Sequence, residues 1–139
     1  MKKFIVTGLM RSGTTYMATI LNSQKSTFCI EDNPFEMISE ARKINSVEDF
    51  NVFYNIILSQ FIYLGLDSPK NLYSAKNVED ILNLYFLHLC KVYKSENIGF
   101  KITMLKQDKI LNFINEGYKI ILMKRDLSKV LKSWVNRID

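Results

Sequence analysis

The first fifteen residues constrain the fold more than any other part of the chain. Phe4-Ile5-Val6-Thr7 is a short apolar run rich in β-forming residues, and it ends at Gly8. From Thr14 to Gln24, apolar residues then recur at helical spacing. A buried strand, a tight turn and a helix in this order are the beginning of an α/β fold.

The same alternation continues along the chain. Further strands are predicted at Thr27–Ile30, Ile98–Thr103 and Tyr118–Met123, and further helices begin at Pro34, at Ser46, after an Asn77 cap, at Leu105 and after an Asp126 cap. Consecutive strands joined through helices favour a parallel sheet that is covered on both faces. The predicted fold is therefore α/β, with three layers and a central, mainly parallel sheet flanked by helices.

Two of these helices carry long apolar stripes that we interpret as core. The predicted core positions are Phe50, Phe53, Ile57, Phe61 and Leu64 in the first, and Ile81, Leu82, Tyr85, Phe86 and Leu89 in the second. Aromatic residues at helical spacing are typical of buried faces and do not identify a substrate.

Composition excludes several classes of protein. Apolar residues make up 47% of the chain, enough to form a core. Cys29, Cys90 and the only histidine, His88, lie among apolar residues, so we predict buried thiols, a structural histidine and no zinc site. The apolar run near the N-terminus is interrupted by Arg11 and is too short for a signal peptide, and no run is long enough for a membrane span. We therefore expect a cytoplasmic protein.

The segment from Gly8 to Thr15 has the pattern of a phosphate-binding loop. Gly8 and Gly13 have the spacing of the Walker motif, and the segment lies between a strand and a helix. In such a loop the backbone N–H groups and the helix N-terminus attract an anion. Thr14 occupies the Walker lysine position and the cation is Arg11, which argues against ATP·Mg²⁺ chemistry. The loop predicts a fold like that of P-loop nucleotide triphosphatases, the alternative being an ordinary strand–turn–helix corner.

A second constellation lies in the basic C-terminal segment. Residues 119–139 contain six basic and two acidic side chains, whereas the whole chain has a net charge of +5. Arg125 follows the last predicted strand, and Ser133 comes eight residues later on the next helix. An arginine fork and a hydroxyl can hold one phosphate together, although a solvated basic helix face is the alternative.

The two motifs together resemble those of the sulfotransferases that use 3′-phosphoadenosine-5′-phosphosulfate (PAPS). That family has a basic-Ser-Gly-Thr-Thr loop, here residues 11–15, and a strand-end Arg with a Ser eight residues later, here Arg125 and Ser133. The resemblance spans nearly the whole chain and implies sulfuryl transfer from PAPS to a hydroxyl or amine, with no metal. It also implies that Arg11 stabilises the transferring group and that Arg125 and Ser133 hold the 3′-phosphate. The residues implied for the 5′-phosphosulfate are Ser12, Gly13, Thr14 and Thr15.

Sulfuryl transfer to a hydroxyl requires a base that takes the acceptor's proton. Glu31 follows the second predicted strand, where some members of the family have a glutamate, and Glu36 in the next helix is the second candidate. Lys101 lies near the end of the third predicted strand, and a similar lysine faces the transferred group in several bacterial members. For all three residues a solvated surface role is the alternative.

We expect residues 1–139 to form one sulfotransferase-like domain. Its parts are a phosphosulfate loop at 8–15, a helical acceptor-side cover at about 34–94 and a 3′-phosphate motif at 118–134. Family members commonly continue into a basic, Gly-containing loop that nothing here matches, so we expect a fragment, a truncated protein or a minimal variant.

Two other functions remain open at this point. One is a non-catalytic nucleotide-binding module that has lost turnover through truncation, and the other is a P-loop kinase-like phosphotransferase. The acceptor is equally open among small alcohols, sugars, lipids and peptides, as is the oligomeric state. No nucleic-acid partner is expected.

Overall fold

The computed structural model describes residues 1–31 and 47–138, and the helices below are numbered among these residues. The strands are β1 Lys2–Gly8, β2 Thr27–Ile30, β3 Asn97–Thr103 and β4 Lys119–Met123. The helices are α1 Thr14–Asn22, α2 Val47–Tyr63, α3 Val78–Val92, α4 Gln107–Asn115 and α5 Leu127–Ile138, with a short 3₁₀ helix at Leu72–Ser74. The helix predicted from Pro34 and the residue Ser46 lie outside the described part of the chain.

The four strands form one sheet in the order β2-β3-β1-β4. All of the pairings are parallel, with β1 between β3 and β4. The predicted α/β architecture with a parallel sheet is therefore confirmed. Since the carboxyl ends of parallel strands meet at one edge, the residues that follow β1, β3 and β4 lie near one another.

Helices cover both faces of the sheet. The cluster that includes α1 consists of Phe4, Val6, Ala18 and Cys29. Phe100 pairs with Ile5 in register, so its side chain points to the opposite face. On that face Phe100 lies 6.1 Å from the ring of Tyr118, which in turn makes an edge contact at 5.2 Å with Phe113 of α4. Strand alternation thus places α1 and α4 on opposite sides.

The chain divides into two compact units. The first combines Met1–Asn33 with Lys94–Asp139 and contains the whole sheet, and the second is Pro34–Tyr93. The limits of the second unit nearly coincide with those predicted for the helical segment. Among the described residues, no helix is long and apolar enough to cross a membrane.

Most of the predicted core positions of the second unit are confirmed. The fully buried ones are Phe53, Ile57, Phe61, Ile81, Tyr85, Phe86 and Leu89. The remaining three, Phe50, Leu64 and Leu82, are half-buried. Asn77 also caps α3 as predicted, because its side-chain oxygen accepts a hydrogen bond of 2.8 Å from the Asp80 N–H.

Candidate functional site

The loop between β1 and α1 requires glycine at its first position. A Cβ atom on Gly8 would lie 2.5 Å from the Met123 carbonyl oxygen and 2.6 Å from Ser12 Oγ. Both distances are well inside van der Waals contact, so only glycine lets β1 end against β4 and the loop. The turn that follows is closed by the Ser12 N–H, which donates to the Leu9 carbonyl at 3.0 Å.

Two residues of this loop have left-handed backbone conformations. Arg11 has a φ of 66° and Gly13 a φ of 98°. Gly13 is also the N-cap of α1, and it brings no side chain to the helix end. Helix geometry leaves the N–H groups of the first turn, residues 14–16, without intrahelical acceptors. The loop therefore presents free N–H groups at the positive end of the helix dipole.

Ser12 adds a buried hydroxyl to these N–H groups. The residue is 5% exposed, and its Oγ has no hydrogen-bond partner among the described residues. A buried hydroxyl without a partner is costly, and native proteins rarely keep one. An anion in the loop is one partner that such a hydroxyl can take.

Lys101 brings a cation to the same helix end. It pairs with Val6 in register, so its side chain points to the face of the sheet that α1 covers. Its Nζ donates a hydrogen bond of 3.1 Å to Thr15 Oγ1, in the first turn of α1. Lys101 thus brings a positive charge from the sheet to the first turn of α1.

Arg11 joins the loop to the C-terminal motif. Its Nε donates to Ser133 Oγ at 2.9 Å, although the two residues are 122 positions apart in the sequence. Its carbonyl oxygen accepts a bond of 2.9 Å from Arg125 Nη1. The structure therefore brings Arg11, Arg125 and Ser133 together, with Arg11 between the other two.

A basic cavity of about 420 Å³ opens at this junction. Its lining residues are Arg11, Arg125, Lys129, Lys132, Ser133 and Asn136. They carry four positive charges and no negative one. The sequence analysis counted Lys129 and Lys132 only as part of a basic segment. The signal was the helical spacing, because Lys129 lies four residues before Ser133 and Lys132 lies four residues before Asn136.

A second cavity, of about 440 Å³, is bordered by Gly8, Leu9 and Ser12 of the loop. It is lined by strand-end residues that include Thr7, Leu105 and Leu122, and it reaches Ser12 and Arg125. Most of its surface is apolar. Its volume is within the range of about 300–1,000 Å³ that is usual for small-molecule sites.

Glu31 lies directly after β2 and is exposed. Burial, together with the charge of Glu31, raises the pKa of the nearby Cys29 thiol to about 12, and the charge of Lys101 acts in the opposite direction. Glu31 and Lys101 are therefore both close enough to Cys29 to act on it electrostatically. The other candidate base, Glu36, lies outside the described residues.

The histidine predicted to be structural belongs to the second unit. His88 is in the second unit, where its Nε2 donates to the Asp67 carbonyl at 2.9 Å and its ring packs edge-on against Phe61 at 5.4 Å. This is the environment of a structural histidine. Within residues 1–31 and 47–138, no three His, Cys, Asp or Glu side chains come together as metal ligands would.

Comparison with known proteins gives no relative: no family model, no curated protein and no solved structure matches this chain. The function is therefore argued from the geometry of the site.

Proposed function

We propose that the chain is a sulfotransferase of the P-loop type, which binds PAPS and transfers its sulfuryl group to a hydroxyl or amine of an acceptor. The observation that carries the proposal is the hydrogen bond of 2.9 Å between Arg11 Nε and Ser133 Oγ. Through this bond the phosphate loop and the basic C-terminal motif form one continuous surface that can bind an anionic ligand. PAPS carries anionic groups at both ends of its ribose, so it suits a surface with two such parts.

The 5′-phosphosulfate is assigned to the loop. The N–H groups of Gly13, Thr14 and Thr15 and the Ser12 hydroxyl are the donors available there. The buried Ser12 Oγ, which has no partner in the described structure, is the observation that fits the residues to this group. A phosphate oxygen would satisfy it with a charge-assisted hydrogen bond.

The 3′-phosphate is assigned to the basic cavity. Arg125 and Ser133 both line it, and both are held by hydrogen bonds to Arg11. Arg125 uses one guanidinium nitrogen for the Arg11 carbonyl and keeps other donors for a ligand.

When bound, PAPS supplies an activated sulfuryl group whose bond to the 5′-phosphate oxygen breaks as the acceptor oxygen or nitrogen bonds to sulfur. Lys101, at the first turn of α1, stabilises negative charge on the transferring group and on the leaving phosphate. The sequence resemblance assigns the same charge-stabilising role to Arg11, whose guanidinium group donates a hydrogen bond to Ser133. Glu31 is the described carboxylate that we assign to take the proton from the acceptor.

The first test is calorimetric titration with adenosine 3′,5′-bisphosphate, the product nucleotide, in the absence of metal. ATP with Mg²⁺ is titrated in parallel. Tight binding of the bisphosphate alone supports the proposal and justifies acceptor screening. Preference for ATP·Mg²⁺ favours a phosphotransferase, and failure to bind either nucleotide contradicts the proposed cofactor site.

A second test removes the arginine of the basic cavity. Arg125→Ala is expected to weaken binding of adenosine 3′,5′-bisphosphate more than binding of AMP, which lacks the 3′-phosphate. Some loss for AMP is expected as well, because Arg125 also holds the Arg11 carbonyl. Equal losses of affinity for the two nucleotides would contradict the assignment of Arg125 to the 3′-phosphate site.

A further inference from the structure

One face of α5 carries more positive charge than the assignment of Arg125 and Ser133 requires. Lys129, Lys132, Ser133 and Asn136 all line the basic cavity. Side chains three, four and seven positions apart lie on the same side of a helix. The two lysines thus extend the cavity along α5, and neither has a role in the proposed function so far.

This arrangement is unfavourable for the helix by itself. Lys129 is the third residue of α5, whose first turn contains no acidic residue. A cation at that point opposes the positive end of the helix dipole. Lys129 also lies four residues after Arg125 and three before Lys132, so neighbouring like charges repel one another.

The acidic residue closest in sequence is engaged at the start of the helix. Asp126 is absent from the cavity lining, and its Oδ1 accepts a hydrogen bond of 3.2 Å from the Ser128 N–H at the start of α5. Among the described lining residues the cations therefore face one another around a shared space. A dianion bound in that space would relieve this repulsion.

We propose that Lys129 and Lys132 are binding residues for the 3′-phosphate and set the preference for 3′-phosphorylated nucleotides. The inference rests on the proposed function, because it names which residues recognise the 3′-phosphate of the same ligand. Each lysine offers three donors on a flexible stem, whereas Arg11 Nε and Arg125 Nη1 each already donate a hydrogen bond within the protein. The lysines therefore supply contacts that the arginines leave unmade.

The experiment titrates Lys129→Ala, Lys132→Ala and the double variant with adenosine 3′,5′-bisphosphate and with AMP. We expect each single change to weaken bisphosphate binding about fivefold and the double change more, as for a charge-assisted hydrogen bond at an accessible site, with AMP affected less than about twofold.

Lys119→Ala is the matched control. It removes the same charge from an exposed position at the start of β4, about 13 Å from the far end of that strand at about 3.3 Å per residue. That separation exceeds the screening length of about 8 Å at physiological ionic strength. The control is expected to bind both nucleotides as the unchanged protein does.

A ligand-free measurement checks the same reasoning. Relief of the repulsion predicts that the double variant melts at the same or a higher temperature than the parent protein in low salt. A lower melting temperature would mean that the lysines stabilise α5 and would overturn the inference.

The outcomes separate this inference from the function on which it rests. Parent protein that binds the bisphosphate, with lysine variants that bind it equally well, overturns the role of the lysines and leaves the proposed function standing. If the lysine changes weaken binding of the bisphosphate and of AMP equally, the lysines attract anions in general and do not recognise the 3′-phosphate. That result also overturns the inference. Failure of the parent protein to prefer the bisphosphate over AMP contradicts both.

Discussion

Replacing Ser12 with alanine is expected to stabilise the free protein and to weaken nucleotide binding. In the free protein Ser12 Oγ is buried and has no partner among the described residues, so its removal leaves no hydrogen bond broken. The loop keeps its shape, because the bond to the Leu9 carbonyl comes from the backbone N–H of Ser12. The substitution adds no steric contact with Gly8, because alanine is smaller than serine.

The two magnitudes can be estimated from the same atom. A buried hydroxyl without a partner costs about 1–3 kcal/mol, so recovery of about 1 kcal/mol would raise the melting temperature by about 3–5 °C in a chain of this size. A hydrogen bond to a charged phosphate contributes about 1.5–3 kcal/mol, which corresponds to about 10- to 150-fold in the dissociation constant.

The assay combines thermal unfolding with titration of adenosine 3′,5′-bisphosphate. Tyr85→Phe is the matched control, because the Tyr85 hydroxyl is the other buried oxygen without a partner in the described structure and lies in the second unit. It should stabilise the protein without changing the affinity. If Ser12→Ala binds the nucleotide as tightly as the parent protein, the hydroxyl is not a phosphate ligand and the argument from its burial fails.

Three further predictions concern the base, the sheet and the thiol. Glu31→Gln should lower turnover while leaving bisphosphate affinity nearly intact, and unchanged turnover would transfer the role to another carboxylate. Gly99→Ala should unfold the protein or lower its melting temperature strongly in circular dichroism, because the new Cβ would lie 2.6 Å from Phe4 Cγ and closer still to the ring edge. Burial raises the pKa of Cys29 from 9.0 to about 12. The stability that the protonated Cys29 thiol contributes is therefore fully present below pH 9 and is lost as the pH rises toward 12. Denaturant titrations at several pH values should show a smaller loss of stability over this range in Cys29→Ala than in the parent protein.

The fold was predictable because its strongest signals are local. The apolar run that becomes β1, the helical spacing that becomes α1 and the caps at Asn77 and Asp126 all depend on neighbouring residues. The order of the strands is different, since it follows from which strands pair across long sequence distances. Nothing in residues 119–123 indicates that this run, the most apolar predicted strand, lies at the edge of the sheet with Leu122 52% exposed.

The site was predictable as two motifs but not as one surface. The loop and the Arg125–Ser133 pair each have a characteristic spacing, so the sequence alone indicates both. The bridging role of Arg11 depends on the distance between α5 and the loop, and local sequence patterns carry no information about that distance. The same holds for Lys101, whose contact with Thr15 follows from the register between β1 and β3.

The bridge at Arg11 implies that the two halves of the site depend on each other. A left-handed conformation costs a non-glycine residue about 1–2 kcal/mol, and Arg11 adopts it with its carbonyl bound by Arg125 and its side chain bound by Ser133. These two hydrogen bonds come from the segment assigned to the 3′-phosphate, yet they hold the loop assigned to the 5′-phosphosulfate. A ligand that orders α5 therefore also favours the loop conformation in which the Ser12 hydroxyl and the N–H groups of α1 are presented together. It follows that the contributions of the two phosphate groups to affinity should not be additive, and that a nucleotide carrying both should bind more tightly than the separate monophosphates indicate.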